Sequence, residues 1–178
     1  MPENYVRQVK ALCQDANRGI GLSENVFKFP LHISLKKSFM TDRFPEVRER
    51  VISYFQSRGS FQIYVKRLVV HEGMLWLEID NGGELQQVHK NLDKLLLEEF
   101  GIAQHHFDKQ FAPHISLFTD RNKDKINDMY DAICEDLSPE HLTVTQIVVG
   151  ADRERDTFFN TQVSQVKNGS VHPASEAG

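Results

Sequence analysis

The sequence contains two copies of one short motif that combines an ionisable ring with a hydroxyl group. Each copy reads His-Ile-Ser-Leu, at residues 32–35 and at residues 114–117, and a proline stands shortly before each. Because imidazole has an ordinary pKa of about 6.5, one histidine can be neutral while the other is protonated. A displacement at phosphorus needs a base on the attacking oxygen and an acid on the leaving oxygen, and each contributes roughly 10²–10⁴-fold to the rate. Hydroxyl groups can donate hydrogen bonds to the non-bridging oxygens, where charge develops. The duplicated motif therefore predicts phosphoryl chemistry.

The candidate catalytic residues are His32 and His114, and the candidate substrate-binding residues are Ser34 and Ser116. Side chains alternate along a strand, so each histidine shares a face with its serine, about 7 Å away, while the isoleucine and leucine point into a core. If the two segments pack about a twofold axis, both polar faces line one cleft. The assignment of base and acid stays open. We expect no metal and no cofactor, since the neighbouring pair His105-His106 lacks any accompanying zinc-ligand spacing.

Apolar periodicity and turn residues predict the elements that must position these motifs. The expected order is a helix over 4–18, an extended segment over 26–35, a helix from Pro45 to about Ser57, a hairpin over 61–70 and 74–80, a helix over 85–100, a loop over 102–110, a strand over 111–118, a helix over 122–137 and a closing hairpin over 141–149 and 157–166.

This order predicts an α+β fold with mostly antiparallel sheets flanked by helices. The repeated pattern of elements further predicts two pseudo-symmetric lobes, which together form a single bilobal domain over residues 1–166. The first motif then lies at 32–34 in one lobe and the second at 114–116 in the other. Residues 167–178 lack apolar content, so we expect a disordered tail.

Composition restricts the classes of protein to which the chain can belong. The two cysteines form no motif, which favours a reducing, cytoplasmic location over a disulfide scaffold. No apolar run is long enough to span a membrane. A net charge of −4 argues against non-specific binding to duplex nucleic acid, whereas residues 28–67 carry nine lysine and arginine residues against three acidic ones. A basic region on an acidic protein suits a small or end-specific anionic ligand.

Residues 31–35 and 113–117 resemble the signature of the two-histidine (2H) phosphoesterase superfamily, in particular the 2′-5′ RNA ligase-like proteins and RNA 2′,3′-cyclic phosphodiesterases. The order of helices and strands over about residues 4–165 is similar as well. The resemblance implies a central groove between two lobes and a phosphoric diester hydrolase that acts on a 2′,3′-cyclic phosphate or a 2′-5′ or 3′-5′ linkage at an RNA end or nucleotide. It also implies that His32 and His114 are the acid/base pair and that Ser34 and Ser116 hold the phosphate. Members of that group typically have an apolar strand before the first helix, whereas the first helix of this chain starts near Tyr5. If that strand is absent, an exposed edge of the sheet could pair with another chain, so the oligomeric state stays open.

Two further functions remain as alternatives. The chain could be a catalytically silent module that binds a nucleotide or RNA end, or an RNA 2′-5′ ligase that runs the same chemistry in reverse.

Three side chains close to the motifs or to the predicted hairpin are secondary candidates. Lys36 could face the cleft as a counter-charge for phosphate, Phe118 could stack on a base, and Trp76 is assigned to the core rather than to a base platform.

Overall fold

A computed structural model describes residues 2–28, 30–58, 60–144, 146–149 and 162–165. The helices are α1 (Glu3–Ile20), α2 (Phe44–Gln56), α3 (Glu84–Phe100) and α4 (Lys123–Ile133), and short 3-10 helices span Glu24–Lys28 and His106–Gln110. The strands are β1 (Phe61–His71), β2 (Met74–Asp80), β3 (His114–Thr119), β4 (Glu140–Val144), β5 (Gln146–Val149) and β6 (Gln162–Gln165). The predicted α+β class with antiparallel sheet is confirmed. Within the described ranges, no helix is both long enough and apolar enough to cross a membrane.

The chain divides into two units. The larger comprises residues 1–41 and 62–143, and the smaller comprises residues 42–61 and 144–178. In the smaller unit, α2 packs against β5, which pairs with β6 in an antiparallel two-stranded sheet. Both motifs lie in the larger unit. The arrangement of residues 1–166 as two pseudo-symmetric lobes stays a prediction.

The larger unit is built on a sheet with strand order β3-β2-β1-β4. β2 lies between β1 and β3 and is antiparallel to both. The turn between β1 and β2 places Glu72 and Gly73 at φ angles of 47° and 81°, as a tight hairpin turn requires. A side chain at Gly73 would meet the carbonyl oxygen of Asp120 at 2.7 Å, so glycine is needed there for space as well as for conformation.

Side chains of β2 and β3 alternate between two environments. One face of the sheet is buried and carries Leu75, Leu77, Ile79, Ile115 and Leu117. The other face carries Trp76, Glu78, His114 and Ser116, which are half-buried. The sheet therefore separates an apolar core from a polar surface on which chemistry can take place.

Helical periodicity explains the packing of α1 and α4. Tyr5, Val9 and Cys13 recur every four residues and bury one stripe of α1, which packs against α4. The helix ends at Gly21, whose left-handed conformation at φ 72° lets its N–H bond to the carbonyl of Asn17.

Some predicted boundaries are wrong. The segment 26–35 is not a continuous strand, because a 3-10 helix runs to Lys28 and Ile33 alone makes an isolated bridge. Pro30 lacks the N–H that a ladder requires. The strand 111–118 begins instead at His114, after Pro113, for the same reason. The loop 102–110 contains a 3-10 helix, and the helix 122–137 ends at Ile133.

The predicted closing hairpin is also different from the observed strands. Residues 141–149 form two strands, β4 and β5, which belong to different sheets. Of the predicted strand 157–166, only 162–165 is described, as β6. The predicted disordered tail, 167–178, lies outside the described residues.

Candidate active site

Backbone pairing brings the two motifs side by side. Ile33 and Ile115, the central residues of the two copies, form an antiparallel bridge. The antiparallel register of this bridge pairs residue 32 with residue 116 and residue 34 with residue 114. In a regular antiparallel ladder such partners have Cα atoms about 4.5–5.5 Å apart, and the diagonal neighbours, here the two histidines, are about 7–8 Å apart. The bridge gathers all four sequence-predicted positions into one patch of backbone.

The two imidazoles are held in the same way. Nδ1 of His32 lies 2.8 Å from the carbonyl oxygen of Pro30, and Nδ1 of His114 lies 2.9 Å from that of Ala112. A carbonyl oxygen can only accept, so in both rings Nδ1 carries the hydrogen and donates it. Nε2 is then the ring nitrogen that is left to take up or release a proton. Sequence reasoning missed this contact, although each histidine bonds to the residue two positions before it.

The two motifs differ in exposure. His32 and Ser34 are exposed, whereas His114 and Ser116 are half-buried. Ile115 and Leu117 are fully buried, as predicted, but the equivalent residues of the first copy, 33 and 35, are only half-buried. The difference follows from the backbone, since β3 is part of the sheet and the first copy contributes a single bridge to it.

Trp76 lies beside the second motif. It pairs with Ser116 across β2 and β3, and its ring centroid lies 4.3 Å from that of His114, with 33° between the planes. His71 stacks on the same indole at 4.9 Å and 23°. His71 is diagonal to Trp76 on β1 and His114 is diagonal to it on β3, so the indole contacts an imidazole from each neighbouring strand. The assignment of Trp76 to the core is wrong, and the alternation of β2, with Leu75 and Leu77 inward, was the signal for its outward position.

Glu78 is the neighbour of His114 across the sheet. Its carboxylate accepts hydrogen bonds from Nε of Arg67 at 2.5 Å and from Nζ of Lys66 at 3.5 Å. The hydrogen bond from Arg67, assisted by the charges of Arg67 and Lys66, holds the pKa of Glu78 below its usual value. Two cations thus face one carboxylate, so the local charge beside His114 favours an anionic ligand.

The structure excludes Lys36 and Phe118 as ligand-binding groups. Nζ of Lys36 lies 2.7 Å from a carboxylate oxygen of Asp93 and 2.7 Å from one of Asp108, and its side chain is 9% exposed. Phe118 is 1% exposed and meets Phe27 edge to face. The hypotheses that Lys36 neutralises phosphate and that Phe118 stacks on a base are both wrong.

Lys36 instead belongs to a buried charged cluster that connects the two motifs. The cluster consists of Lys36, His89, Asp93 and Asp108. Both ring nitrogens of His89 face backbone carbonyl oxygens, Nδ1 that of Leu35 at 2.8 Å and Nε2 that of Asp108 at 2.9 Å. The end of the first motif is therefore tied to α3 and to the segment that precedes the second motif.

Asp108 is the most heavily bonded member of the cluster. It accepts hydrogen bonds from Nζ of Lys36 and from the backbone N–H groups of Lys37 and His105. Burial alone would raise the pKa of Asp108, but these hydrogen bonds and the charge of Lys36 hold it below its usual value. Asp108 is thus an anion that fixes the segments following the first motif and preceding the second.

Comparison with known families adds one result. The sequence model of the 2′-5′ RNA ligase superfamily matches residues 3–156, a range that includes both motifs, the sheet and the buried cluster. No curated protein matches the chain.

Proposed function

Because the chain belongs to the 2′-5′ RNA ligase superfamily, part of the two-histidine phosphoesterases, we propose that it is a metal-independent phosphodiesterase that acts on RNA ends or nucleotides. The substrate would be a 2′,3′-cyclic phosphate or a 2′-5′ or 3′-5′ linkage. The observation that carries the proposal is the bridge between Ile33 and Ile115, which pairs the two His-Ile-Ser-Leu segments antiparallel to each other. A pairing between equivalent residues is also what a twofold relation between two motif-bearing halves would produce, and it supports that part of the proposal.

Hydrolysis needs one proton acceptor and one proton donor at opposite sides of phosphorus. In the pair His32 and His114, Nε2 of the neutral histidine takes a proton from the attacking water. The protonated histidine gives its Nε2 proton to the ribose oxygen that leaves. One P–O bond forms and one breaks, a cyclic phosphate becomes a monoester, and the two histidines exchange protonation states.

The serines supply hydrogen bonds rather than a nucleophile in this mechanism. Ser34 and Ser116 lie across the bridge from the opposite histidine. Their hydroxyl groups donate to the non-bridging oxygens, where charge grows as the attacking oxygen approaches. The paired cations around Glu78 add to this attraction for an anion. The same groups serve the reverse reaction, in which a ribose 5′-hydroxyl gives its proton to one histidine and attacks a 2′,3′-cyclic phosphate. The bond from phosphorus to the 3′-oxygen breaks, that oxygen takes a proton from the other histidine, and a 2′-5′ linkage forms.

The decisive experiment offers 2′,3′-cyclic nucleotides and 2′-5′ and 3′-5′ dinucleotides in the presence of EDTA, with product positions assigned by phosphorus NMR. We expect turnover of at least one of these substrates, and loss of at least roughly 10²-fold in His32→Ala and in His114→Ala. His141→Ala is the matched control, because His141 is an exposed histidine on β4, at the opposite edge of the sheet from β3. Unchanged turnover in both motif variants, or no turnover of any substrate, would contradict the proposal.

A further inference from the structure

An aromatic platform lies on the surface of the loop that precedes β3. It consists of His105, His106 and Phe107, whose rings contact one another with centroids 3.9–5.3 Å apart. Phe107 is 63% exposed, one of the most exposed large apolar side chains among the described residues. Nζ of Lys37 lies 5.6 Å from the centre of the Phe107 ring. These three rings, of which His106 and Phe107 are exposed and His105 is half-buried, lie next to a cation and form a surface that the proposed reaction does not use.

Hydrogen bonds of His105 and Asp108 hold the backbone of the platform. His105 caps the 3-10 helix His106–Gln110, with its Nδ1 accepting from the N–H of Phe107 and its own N–H donating to Asp108. Asp108 in turn accepts from the N–H of Lys37 and from the buried Lys36. The backbone that carries the rings is therefore tied to a buried ion pair, so less of it needs to be ordered when a ligand binds.

Both chain segments of the platform lead directly to the candidate active site. Lys37 is three residues from Ser34, so their Cα atoms are at most about 11 Å apart, and Phe107 is seven residues from His114, at most about 25 Å. A short oligonucleotide spans such distances. The exposed charges also suit a nucleic acid strand, because Lys37 and Lys109 are exposed cations, whereas the carboxylates of Asp93 and Asp108 are buried against Lys36.

We infer that His105, His106, Phe107 and Lys37 form a stacking site for a nucleobase of single-stranded RNA, on the strand whose phosphodiester lies between the two motifs. This inference rests on the proposed function and narrows its substrate class to a strand longer than one nucleotide. Every base offers a π-face to an exposed ring, and a cation beside the ring can contact the adjoining phosphate. A surface for an apolar protein segment would instead present aliphatic side chains, whereas two of these three rings are imidazoles.

The first test measures binding directly. A tetranucleotide RNA that contains 2-aminopurine is titrated into the His32→Ala protein and into the same protein with Phe107→Ala, Phe107→Trp or Leu97→Ala added. Leu97 is the matched control, since it is 54% exposed and lies on α3. We expect Phe107→Ala to weaken binding about tenfold, Phe107→Trp to restore the affinity and the quenching of 2-aminopurine, and Leu97→Ala to match the parent. Equal affinity of the Phe107→Ala and parent proteins, or equal binding of a duplex, would overturn the inference.

The second test separates the platform from the catalytic groups. The ratio of kcat/KM for a tetranucleotide ending in a 2′,3′-cyclic phosphate to kcat/KM for the cyclic mononucleotide should fall about tenfold in Phe107→Ala. An equal loss on both substrates would assign Phe107 a structural role and overturn the inference. If the wild-type protein turns over no substrate, the proposed hydrolysis fails, and the binding measurement alone decides the platform.

Discussion

The indole of Trp76 lies against the imidazole of His114, with ring centroids 4.3 Å apart, and it also stacks with His71 at 4.9 Å. Trp76 is half-buried between these two rings, so we expect its role to be the positioning of His114. Together with the hydrogen bond from Nδ1 to Ala112, this contact fixes both the tilt and the rotation of the His114 ring. His32 has the equivalent hydrogen bond, but its ring is exposed.

The first prediction follows from the fact that Trp76 is the only tryptophan in the chain. Protonated imidazole quenches indole emission, so we expect the intrinsic fluorescence to be lower at acidic than at alkaline pH. His114→Gln and His71→Gln should each remove part of this change, and the double variant should remove nearly all of it. His141→Gln is the control. A pH response that persists in the double variant would show that the two rings do not contact Trp76 in solution.

Activity of Trp76 variants tests the positioning role separately. Trp76→Phe keeps an aromatic face against His114 and should retain most of kcat, whereas Trp76→Leu should lower kcat roughly tenfold with a smaller change in KM, because a misoriented acid or base slows proton transfer. Equal kcat values in Trp76→Phe and Trp76→Leu would contradict the role of Trp76 in positioning His114.

The second prediction concerns the ion pair between Lys36 and Asp108, whose side chains are 9% and 5% exposed. Asp108→Asn leaves Lys36 paired with Asp93 but removes the charged acceptor of the hydrogen bonds from Lys36, Lys37 and His105, so we expect the free energy of unfolding at pH 7 to fall by about 1.5–3 kcal/mol. Asp15→Asn is the matched control, because it breaks an exposed pair with Arg18 and should cost less than about 1 kcal/mol. Equal, small effects in urea denaturation would contradict the importance of the buried cluster.

The pH dependence of that stability has a definite sign. The pKa of Asp108 is lowered in the folded protein, because the Lys36 and backbone hydrogen bonds overcome the effect of burial. Its stabilising contribution is therefore complete above the unfolded-state pKa of about 3.9 and is lost as the pH falls through the lower folded-state pKa. The difference in unfolding free energy between the wild type and Asp108→Asn should shrink over that acidic range and stay constant above about pH 5.

Local patterns in the sequence predicted more of the fold than of the site. Periodicity located α1, α3 and the hairpin of β1 and β2, because each depends on neighbours within a few residues. The burial of Lys36 depends on Asp93 and Asp108, which lie 57 and 72 residues later in the sequence, and no local pattern predicts such partners. The bridge between Ile33 and Ile115 is equally non-local. The duplication of the motif predicted that the two copies come together. The hydrogen-bond partners of His32 and His114 are seen only in the structure.

The third prediction concerns the two cysteines. Cys13 is fully buried, and burial, with a smaller effect from the charge of Glu24, raises its pKa to about 12. Because the thiolate is the nucleophile, iodoacetamide should label Cys134, which is half-buried, and leave Cys13 unmodified in the native protein. Mass spectrometry of digested protein before and after unfolding checks this. Cys134→Ser should show no native labelling, and modification of Cys13 in that variant would mean that α1 does not pack as described.

The fourth prediction is the tautomer of each site histidine. Because Nδ1 of His32 and of His114 faces a carbonyl oxygen, the neutral rings should carry their hydrogen on Nδ1 and leave Nε2 bare. His105 provides an internal contrast, since its Nδ1 accepts a hydrogen bond from the N–H of Phe107 at 3.3 Å and its hydrogen must lie on Nε2. Long-range ¹H–¹⁵N correlation spectra at a pH above the imidazole range distinguish the two forms by the nitrogen shifts. If His32 and His114 showed the His105 pattern, Nε2 would hold a proton in the neutral ring, and neither ring could act there as the base.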